Sequence, residues 1–378
     1  MTESTKNLSA SCLVSSPFDQ ELIQQAAHAC LNKLGSDPDL VVAFVTSDYK
    51  PHLKALTESL QIDGHASTII GGSACGLAGV SREQEHISGI SLLFLCMPET
   101  DIKIGEDIVS GAIPDAALLL SNPLETTFDS LLEKWDDKFP GCPLVGGNIT
   151  GGPDEEALFL FNECGEVISG SLLAHFTGGV KVESLVAPGC RPIGNPMVVT
   201  EAEGDEVLSL GRREPFDVLE ETFSALGEDL QIEAEGNIFA GVVINEQTDE
   251  FESGDFRIHQ IVSARLEDGR LKLGSPVRAG QTMQFQLRDS LAAEMLLRSE
   301  CDRIFEASGK PFAALLFMGM GRGKNLFGVE DRNVRTFEET FGKVPLTGIH
   351  SFGEVGSASS MTERHDHSIC GALFYSKD

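Results

Sequence analysis

Residues 311–356 read PFAALLFMGMGRGKNLFGVEDRNVRTFEETFGKVPLTGIHSFGEVG. The apolar run at 313–317 is bounded by glycines, which predicts a buried strand that ends in a glycine loop. Apolar residues at helical spacing predict a helix over 331–342, with an aspartate as cap at its start and a glycine at its end. A second strand is predicted at 345–349, and it runs into another glycine loop at 351–356. The stretch therefore predicts a strand, a glycine loop, a helix, a strand and a second glycine loop.

The same order of elements occurs twice earlier, at a long and unequal spacing that does not fit a solenoid repeat. The strand, helix and glycine loop of these two copies are predicted at 40–45, 53–60 and 71–76, and at 116–120, 128–139 and 146–152. Each of the three copies is followed by one more predicted strand, at 89–95, 157–161 and 370–375. The repetition predicts that the glycine-rich turns at the ends of several strands lie together in one region.

The composition is that of a globular and strongly acidic protein. The chain has 378 residues, 41% of them hydrophobic, which is enough for two domains with sizeable cores. It carries 28 basic and 58 acidic residues, a formal net charge of −30. Nucleic acid and anionic membrane surfaces both require a basic footprint, so neither is predicted as a partner. Neither a membrane span nor the layout of a signal peptide is recognisable, and the predicted location is cytoplasmic.

The cysteine and histidine patterns favour neither disulfides nor a metal. The nine cysteines are scattered, odd in number and form no C-x-x-C pair, which is typical of a reduced protein. The segment ERHDH at 363–367 places two histidines on one face of a strand, but no third or fourth ligand accompanies them. GMGRG and GGSACG match neither a Walker-type phosphate loop nor a dinucleotide fingerprint. We therefore predict no metal ion and no cofactor.

The predicted parts are an N-terminal extension and helix at 1–35, a first module at 36–213 and a second module at 214–378. Residues 1–16 are polar and are expected to be loosely structured. The second module begins with a predicted helix that Pro215 opens and Gly227 ends, and apolar residues recur along it at 216–226. About six helices and a dozen strands are predicted in total. The fold class is α+β, with two modules of mixed and antiparallel sheets layered with helices.

Several of these segments resemble one known family. GGSACG at 71–76, with the strand that follows it, resembles the first half of the FIST (F-box and intracellular signal transduction) N-terminal module. The segments that resemble the FIST C-terminal module are 255–262, 267–285, 314–323 and 347–356. Their order and separation match, and the resemblance covers residues 36–356. The most specific part is GRG followed at its spacing by FGEVG.

The resemblance implies a stand-alone FIST protein with a sensory role in signal transduction. Its modules are then expected to bind a small ligand, such as an amino acid or a similar metabolite. Because no output domain is recognisable in the chain, the resemblance also implies a separate signalling protein as a partner.

The polar residues of the glycine loops are the predicted ligand contacts. Arg322 and Glu354 are the proposed anchors, because a guanidinium and a carboxylate that face one pocket suit a zwitterionic ligand. Their proposed neighbours are Ser73, Asn148, His350, Ser351, Gly72, Gly321, Gly323 and Gly353. Two alternatives stay open. Arg322 could form a structural ion pair with Glu354 or another acid, and the glycines could permit tight turns with positive φ instead of presenting N–H groups to an anion.

Two other functions are compatible with the sequence. A hydrolase or transferase could use Cys75 or His350, and it would need Cys75 or Ser351 within hydrogen-bonding reach of a histidine. An acidic interaction scaffold would bind no ligand, and it would show Arg322 in a closed ion pair and no sizeable pocket. A ligand-binding protein requires a pocket that contains Arg322. No catalytic residue is assigned on this basis.

Overall fold

The computed structural model describes residues 6–108, 113–126, 128–152, 154–247, 251–357 and 361–377. The chain divides into two units. The first contains Met1–Val186, Leu297–Arg364 and Ile369–Asp378, and the second contains Ala187–Leu296 and His365–Ser368. The module boundary predicted between residues 213 and 214 stays a prediction. Within the described ranges, no helix is long and apolar enough to cross a membrane.

The helices lie close to their predicted positions. The α-helices in the described residues are α1 (Gln20–Leu34), α2 (Leu53–Gly64), α3 (Phe128–Lys138), α4 (Pro215–Ser224), α5 (Glu228–Ala234), α6 (Ser290–Ser308), α7 (Lys324–Phe327) and α8 (Arg332–Phe341). Short 3₁₀ helices occupy Ser47–His52, Glu155–Ala157 and Ser253–Asp255. Asp19 caps α1 as its sequence position suggests, because its Oδ1 accepts hydrogen bonds from the N–H groups of Glu21 and Leu22.

The strands are more numerous than predicted. They are β1 (Leu8–Val14), β2 (Leu40–Val45), β3 (Ile69–Ser73), β4 (Gly76–Gly79), β5 (Arg82–Glu85), β6 (Ile90–Cys96), β7 (Thr100–Gly105), β8 (Ala116–Ser121), β9 (Leu144–Asn148), β10 (Leu160–Asn162), β11 (Val167–Ile168), β12 (Ser171–Gly178), β13 (Val180–Ala187), β14 (Cys190–Pro192), β15 (Met197–Glu203), β16 (Glu206–Leu210), β17 (Ile238–Val243), β18 (Phe256–His259), β19 (Ile261–Ala264), β20 (Leu271–Leu273), β21 (Thr282–Arg288), β22 (Ala313–Gly319), β23 (Leu346–Ser351), β24 (Glu354–Gly356), β25 (Glu363–His365) and β26 (Ile369–Ser376). Many have only two to four residues, too few to show a clear alternation in the sequence. The predicted α+β class with mixed and antiparallel sheets is confirmed.

Three six-stranded sheets organise the first unit. Their strand orders are β1-β6-β2-β3-β10-β11, β25-β24-β9-β8-β12-β7 and β13-β26-β22-β23-β4-β5. Each sheet contains one parallel pair, namely β2 with β3, β8 with β9 and β22 with β23. The two strands of each pair are joined through a helix, α2, α3 or α8 respectively. On its other side, the first strand of each pair has an antiparallel neighbour, β6, β12 or β26.

The chain leaves each parallel pair and enters a different sheet. After β3 it forms β4, which pairs with β23. After β9 it forms β10, which pairs with β3, and after β23 it forms β24, which pairs with β9. The loops behind β3, β9 and β23 therefore all lie where the three sheets exchange strands. The inner faces of β2, β8 and β22 share one core cluster.

One expectation about the first unit was wrong. Residues 1–16 were expected to be loose, but β1 pairs antiparallel with β6 along its whole length. The alternation of Leu8, Ala10, Cys12 and Val14, all of which pack on the core around α1, indicates this strand. The strand predicted at 157–161 corresponds to β10, which starts at Leu160. It joins the sheet of the first copy, and β12 takes the position beside β8.

Asp331 does not cap α8 in the way predicted. It adopts a left-handed φ of 64°, and its side chain makes no capping hydrogen bond. Its carboxylate accepts a hydrogen bond from the N–H of Glu83 and pairs with Arg335. The predicted end of the helix at Gly342 is correct, with φ at 69° and its N–H donating to the carbonyl of Glu338.

The second unit contains one sheet of eight strands. Their order is β18-β17-β21-β15-β16-β20-β19, and β14 also pairs with β21. Residues 255–289 contain β18, β19, β20 and β21, all of them in antiparallel pairs. Helix α4 packs on one face of this sheet through Val218, and the core on that face includes Met283, Phe285 and Leu287 of β21.

Candidate functional site

Some of the loop glycines are strand residues that permit two backbones to approach closely. A Cβ on Gly71 or Gly146 would overlap the carbonyl oxygen of Ala43 or Leu119 on the neighbouring parallel strand. Gly72 also lies within a strand, β3. The turn interpretation with positive φ holds at Gly321 (84°) and Gly353 (97°). Gly323 has φ at −73° and lies against the carboxylate of Glu85.

The three strand ends contact one another through the predicted polar residues. Ser351 Oγ donates to the carbonyl oxygen of Asn148 over 2.9 Å, and Asn148 Nδ2 donates to the carbonyl oxygen of Phe352 over 2.7 Å. The carbonyl of Ser73 accepts from the N–H of Thr150. Thr150 Oγ1 donates to the carbonyl of His350 over 2.6 Å and accepts from the N–H of Cys75 over 3.1 Å. Thr150 thus joins all three loops.

Arg322 lies in a buried polar cluster. Its Nε donates to Asn333 Oδ1 over 3.2 Å, and Asn333 Nδ2 donates to Glu83 Oε2 over 3.0 Å. The other oxygen of Glu83 accepts from the N–H of Val334 over 2.9 Å. His350 Nε2 lies 3.8 Å from Glu83 Oε2. Each of these side chains is less than a tenth exposed, and Arg322 is fully buried.

Burial sets the protonation of this cluster. It raises the pKa of Glu83, while the hydrogen bonds from Val334 and Asn333 and the charge of Arg322 oppose that shift. Burial lowers the pKa of His350 to about 4; Glu85 opposes this shift, and His86 and Arg322 add to it. His350 is therefore a neutral imidazole near pH 7.

Glu354 lies fully buried in β24, opposite Gly147 of β9. The charges of Glu354 and Arg322 both shift the pKa of the buried thiol of Cys370. Burial raises the pKa of Cys370, Glu354 raises it further, and Arg322 lowers it. Neither Arg322 nor Glu354 is open to solvent, so direct contact of either with a ligand stays a prediction.

A pocket of about 360 Å³ lies at the carboxyl ends of the parallel strands. Three loops contribute to it: Ala74 and Cys75 after β3, Gly151 and Gly152 after β9, and Met320 after β22. The segments 46–48 and 86–88 complete the wall. None of the ten residues proposed from the sequence lines this pocket, although Ser73 directly precedes Ala74 and Gly321 directly follows Met320. The polar residues at the end of β2 do not belong to a glycine-rich loop, so the glycine pattern does not indicate them. The rule that ligands bind at the carboxyl ends of parallel strands would have indicated them.

The mouth of the pocket carries acidic groups. Asp48 is exposed there, and its carboxylate accepts from Thr46 Oγ1 over 2.6 Å and from Ser88 Oγ over 2.5 Å. Ser47 and Asp48 also border a second hollow of about 670 Å³, whose other wall is 154–157 with three more acidic residues. The N–H groups of Gly151 and Gly152 also line the pocket, and they donate to no other residue in the described part of the chain. Those ranges contain no group of three His, Cys, Asp or Glu residues suited to holding a metal ion.

The contacts of Cys75 and Ser351 differ from those of an activated nucleophile. Cys75 Sγ lies 3.4 Å from Met320 Sδ. Burial raises the pKa of Cys75, Glu85 raises it further, and hydrogen bonds to Thr150 and to the backbone oppose the shift. Ser351 Oγ donates to the carbonyls of Asn148 and Gly353. These contacts favour a binding pocket over a nucleophile with an adjacent base.

This geometry predicts that Cys75 alkylates slowly. At pH 7.5 we expect iodoacetamide to modify Cys75 at least about tenfold more slowly than the exposed Cys164, because only the thiolate reacts. Peptide mass spectrometry of a time course measures both rates in one sample, and urea-unfolded protein, in which the two rates should converge, is the control. A folded protein whose Cys75 reacts as fast as Cys164 would support the enzyme alternative.

Comparison with known proteins gives matches over most of the chain. The family model described as FIST N domain matches residues 39–213, and the model described as FIST C domain matches residues 215–357. An uncharacterized protein of Mycobacterium tuberculosis (strain CDC 1551 / Oshkosh) is 30% identical over 364 residues, covering 93% of this chain and 95% of the relative. An uncharacterized protein of Mycobacterium bovis is 33% identical over 261 residues, covering 69% and 67% respectively.

Proposed function

The chain belongs to the FIST family, whose domains are sensory domains of signal transduction, and on that premise we propose that it binds a small zwitterion, such as an amino acid, in the pocket at the ends of β2, β3, β9 and β22. The observation that carries the proposal is the meeting of three glycine loops around one open cavity. Its volume falls within the range of about 300–1,000 Å³ that is usual for small-molecule sites.

The polar groups of the pocket suit the two charges of such a ligand. The carboxylate of Asp48 and the neighbouring acidic hollow favour an ammonium group. The N–H groups of Gly151 and Gly152 suit a carboxylate, since successive glycine N–H groups in a loop form anion-binding concavities. Cys75, Ile87 and Met320 supply the apolar surface between them.

The residues proposed from the sequence then lie behind the pocket wall and support it. Ser73 and His350 hold Thr150 through their carbonyls, and Thr150 fixes the N–H of Cys75. The carbonyl of Ser351 accepts from the N–H of Met320 over 2.9 Å. We propose that Arg322 and Glu354 anchor the same framework by their buried charges. A ligand that reorders the loops after β3 and β9 would shift β4 and β10, which follow these loops into neighbouring sheets. Such a shift would give a sensory domain its means of signalling to a separate protein.

A thermal-shift screen of the purified protein against amino acids and small carboxylates tests the proposal. A ligand at about 100 times its dissociation constant should stabilise the folded state by about 2.7 kcal/mol, which raises the melting temperature of the first unit. We expect one ligand class to give this shift in the wild type and to lose it in Asp48→Asn and Gly152→Val. A Cβ on Gly152 would meet only Ala157 Cβ at 3.5 Å and Ser47 Oγ at 3.8 Å, so a valine there adds bulk beside the pocket residue Ser47 without overlapping the backbone.

The matched control is Asp101→Asn, an exposed carboxylate on β7 outside the pocket. It should keep the full shift, because it removes the same charge from a different place. A screen with no shift in the wild type, or a shift that survives both pocket variants, would contradict the proposal.

A further inference from the structure

A groove of about 510 Å³ lies in the second unit, far along the chain from the glycine loops. One wall is a face of α4 that presents Phe216, Leu219 and Phe223 at helical spacing, i, i+3 and i+7. All three side chains are only partly buried. Val218 lies in the core of the second unit, and Leu219 and Phe223 pack against that core with part of their surface.

The opposite wall of the groove is the sheet. It consists of Ile238 and Phe239 of β17 and the strand β19. Because β19 is the edge strand of its sheet, no further strand covers it within the described residues. Val262 at its centre is 56% exposed. An apolar edge of this kind is normally covered or protected by charge in a soluble protein.

The rim of the groove is acidic. Residues 214–235, which include α4 and α5, contain eight Asp or Glu residues and no Lys, Arg or His. Glu220 and Glu235 line the groove directly. Glu221 pairs with Arg213, which lies just outside this segment. The groove therefore has apolar walls and a negative border along α4 and α5.

We propose that this groove docks a basic amphipathic helix of a partner protein. Apolar side chains at helical spacing on the partner would pack between α4 and β19, and Lys or Arg on its flanks would meet Glu220 and Glu235. A second copy of this chain does not fit the charge, since each copy carries a net charge of −30. The proposal does not depend on ligand binding in the first unit, and it locates a contact for the separate signalling partner.

Fluorescence anisotropy with a labelled synthetic peptide tests the docking. The probe is an idealised helix of about four turns with Leu on one face and Lys on the other, and its two comparators are a scrambled sequence and a version with Gln for Lys. We expect the full-length protein to bind the probe at least about tenfold more tightly than either comparator, because only the probe combines the apolar face with the basic flanks.

Matched variants distinguish the groove from general attraction to an acidic protein. Val262→Glu alters the apolar wall, and Glu220→Gln with Glu235→Gln removes the border charge. Each should weaken the probe about tenfold. The controls are Leu291→Glu, which is 64% exposed on α6, and Glu201→Gln with Glu203→Gln on the exposed side of β15; these should bind within about twofold of the wild type. Circular dichroism verifies that every variant is folded.

Three results would overturn the proposal. Groove variants that bind like the wild type would mean that net charge alone holds the peptide. A scrambled peptide that binds equally well would remove the helical requirement. Equal binding of the Gln peptide would remove the need for basic flanks, and the groove would then be a site for apolar ligands of any charge.

Discussion

Gly146→Ala is expected to destabilise the first unit by about 3 kcal/mol or more. The added Cβ would overlap the carbonyl oxygen of Leu119 and would come within 3 Å of two further backbone atoms of that residue. All three are main-chain atoms of β8, which pairs in parallel with β9 through Leu119 and Gly146. No side-chain rotation can relieve the overlap, so the two strands must separate and lose hydrogen bonds.

Urea unfolding followed by tryptophan fluorescence measures this effect. Trp135 is the single tryptophan of the chain, and it is buried in the same core cluster as Leu119 and Leu144. Its emission therefore reports on the layer that Gly146→Ala disturbs. Gly348→Ala, whose Cβ would lie 2.5 Å from the carbonyl oxygen of Leu316 in the corresponding pair, should show a loss of the same kind.

Gly227→Ala is the control for the general effect of replacing glycine. Gly227 has φ at −62°, and a Cβ there meets nothing within 4 Å. Its stability should change by no more than about 0.5 kcal/mol, since neither strain nor overlap is introduced. If Gly146→Ala unfolds at the same urea concentration as Gly227→Ala, close strand approach is not the reason for glycine in β9.

Local patterns in the sequence were sufficient for the three central strands. The runs at 40–45, 116–120 and 313–317 are wholly apolar, and the structure buries all of them in β2, β8 and β22. Helix α1 likewise follows from local signals, with Asp19 at its start and Gly35 at its end. Such features depend on a few neighbouring residues, so they can be predicted from a single sequence.

Features that depend on distant residues could not be predicted in the same way. The exchange of β4, β10 and β24 among sheets has no local signal, because pairing partners are chosen by the whole fold. Arg322 was expected to face a pocket, because its flanking glycines would leave the guanidinium approachable, but the side chain is fully buried. Its cluster includes Glu83, whose hydrogen bond to Asn333 spans 250 positions of the chain. No spacing rule connects residues so far apart.

Arg322→Met is expected to lower the stability of the first unit by about 3–5 kcal/mol at pH 8, because it leaves the carboxylate of Glu83 buried without its nearby positive charge. Methionine replaces the unbranched stem as far as Nε and lacks the guanidinium group, so the loss of charge and of its hydrogen bond to Asn333 dominates. Urea unfolding monitored by Trp135 at pH 5 and pH 8 measures the difference between variant and wild type.

The difference should shrink as the pH falls. The folded-state pKa of Glu83 lies above its usual 4.5. Glu83 therefore contributes to the free energy of unfolding at low pH, and this contribution is lost as the pH rises. Removing Arg322 raises the pKa of Glu83 further, so the ionisation of Glu83 at pH 8 costs the folded state more stability. His350 acts in the opposite sense, since its lowered pKa of about 4 removes stability as the pH falls from 6.5. Arg322 helps to lower that pKa, so removing it also reduces the acid-side loss.

Two further variants identify the source of the effect. Adding Glu83→Gln to Arg322→Met should recover a large part of the stability at pH 8, because the unpaired buried charge is then gone. Arg335→Met removes an exposed partner of Asp331 and should change stability by less than about 1 kcal/mol. A loss that is equal at both pH values, or that Glu83→Gln fails to relieve, would show that packing and not charge makes Arg322 necessary.

The same variants separate the two roles that Arg322 could have in a sensory domain. If Arg322→Met with Glu83→Gln regains stability and keeps the ligand-induced thermal shift, the guanidinium supports the loops and does not touch the ligand. If stability returns but the shift is lost, Arg322 contacts the ligand, and the loops must open to admit it, because the side chain is fully buried. In the second outcome, Arg322 would couple ligand binding to a movement of the loops that lead from one sheet to the next.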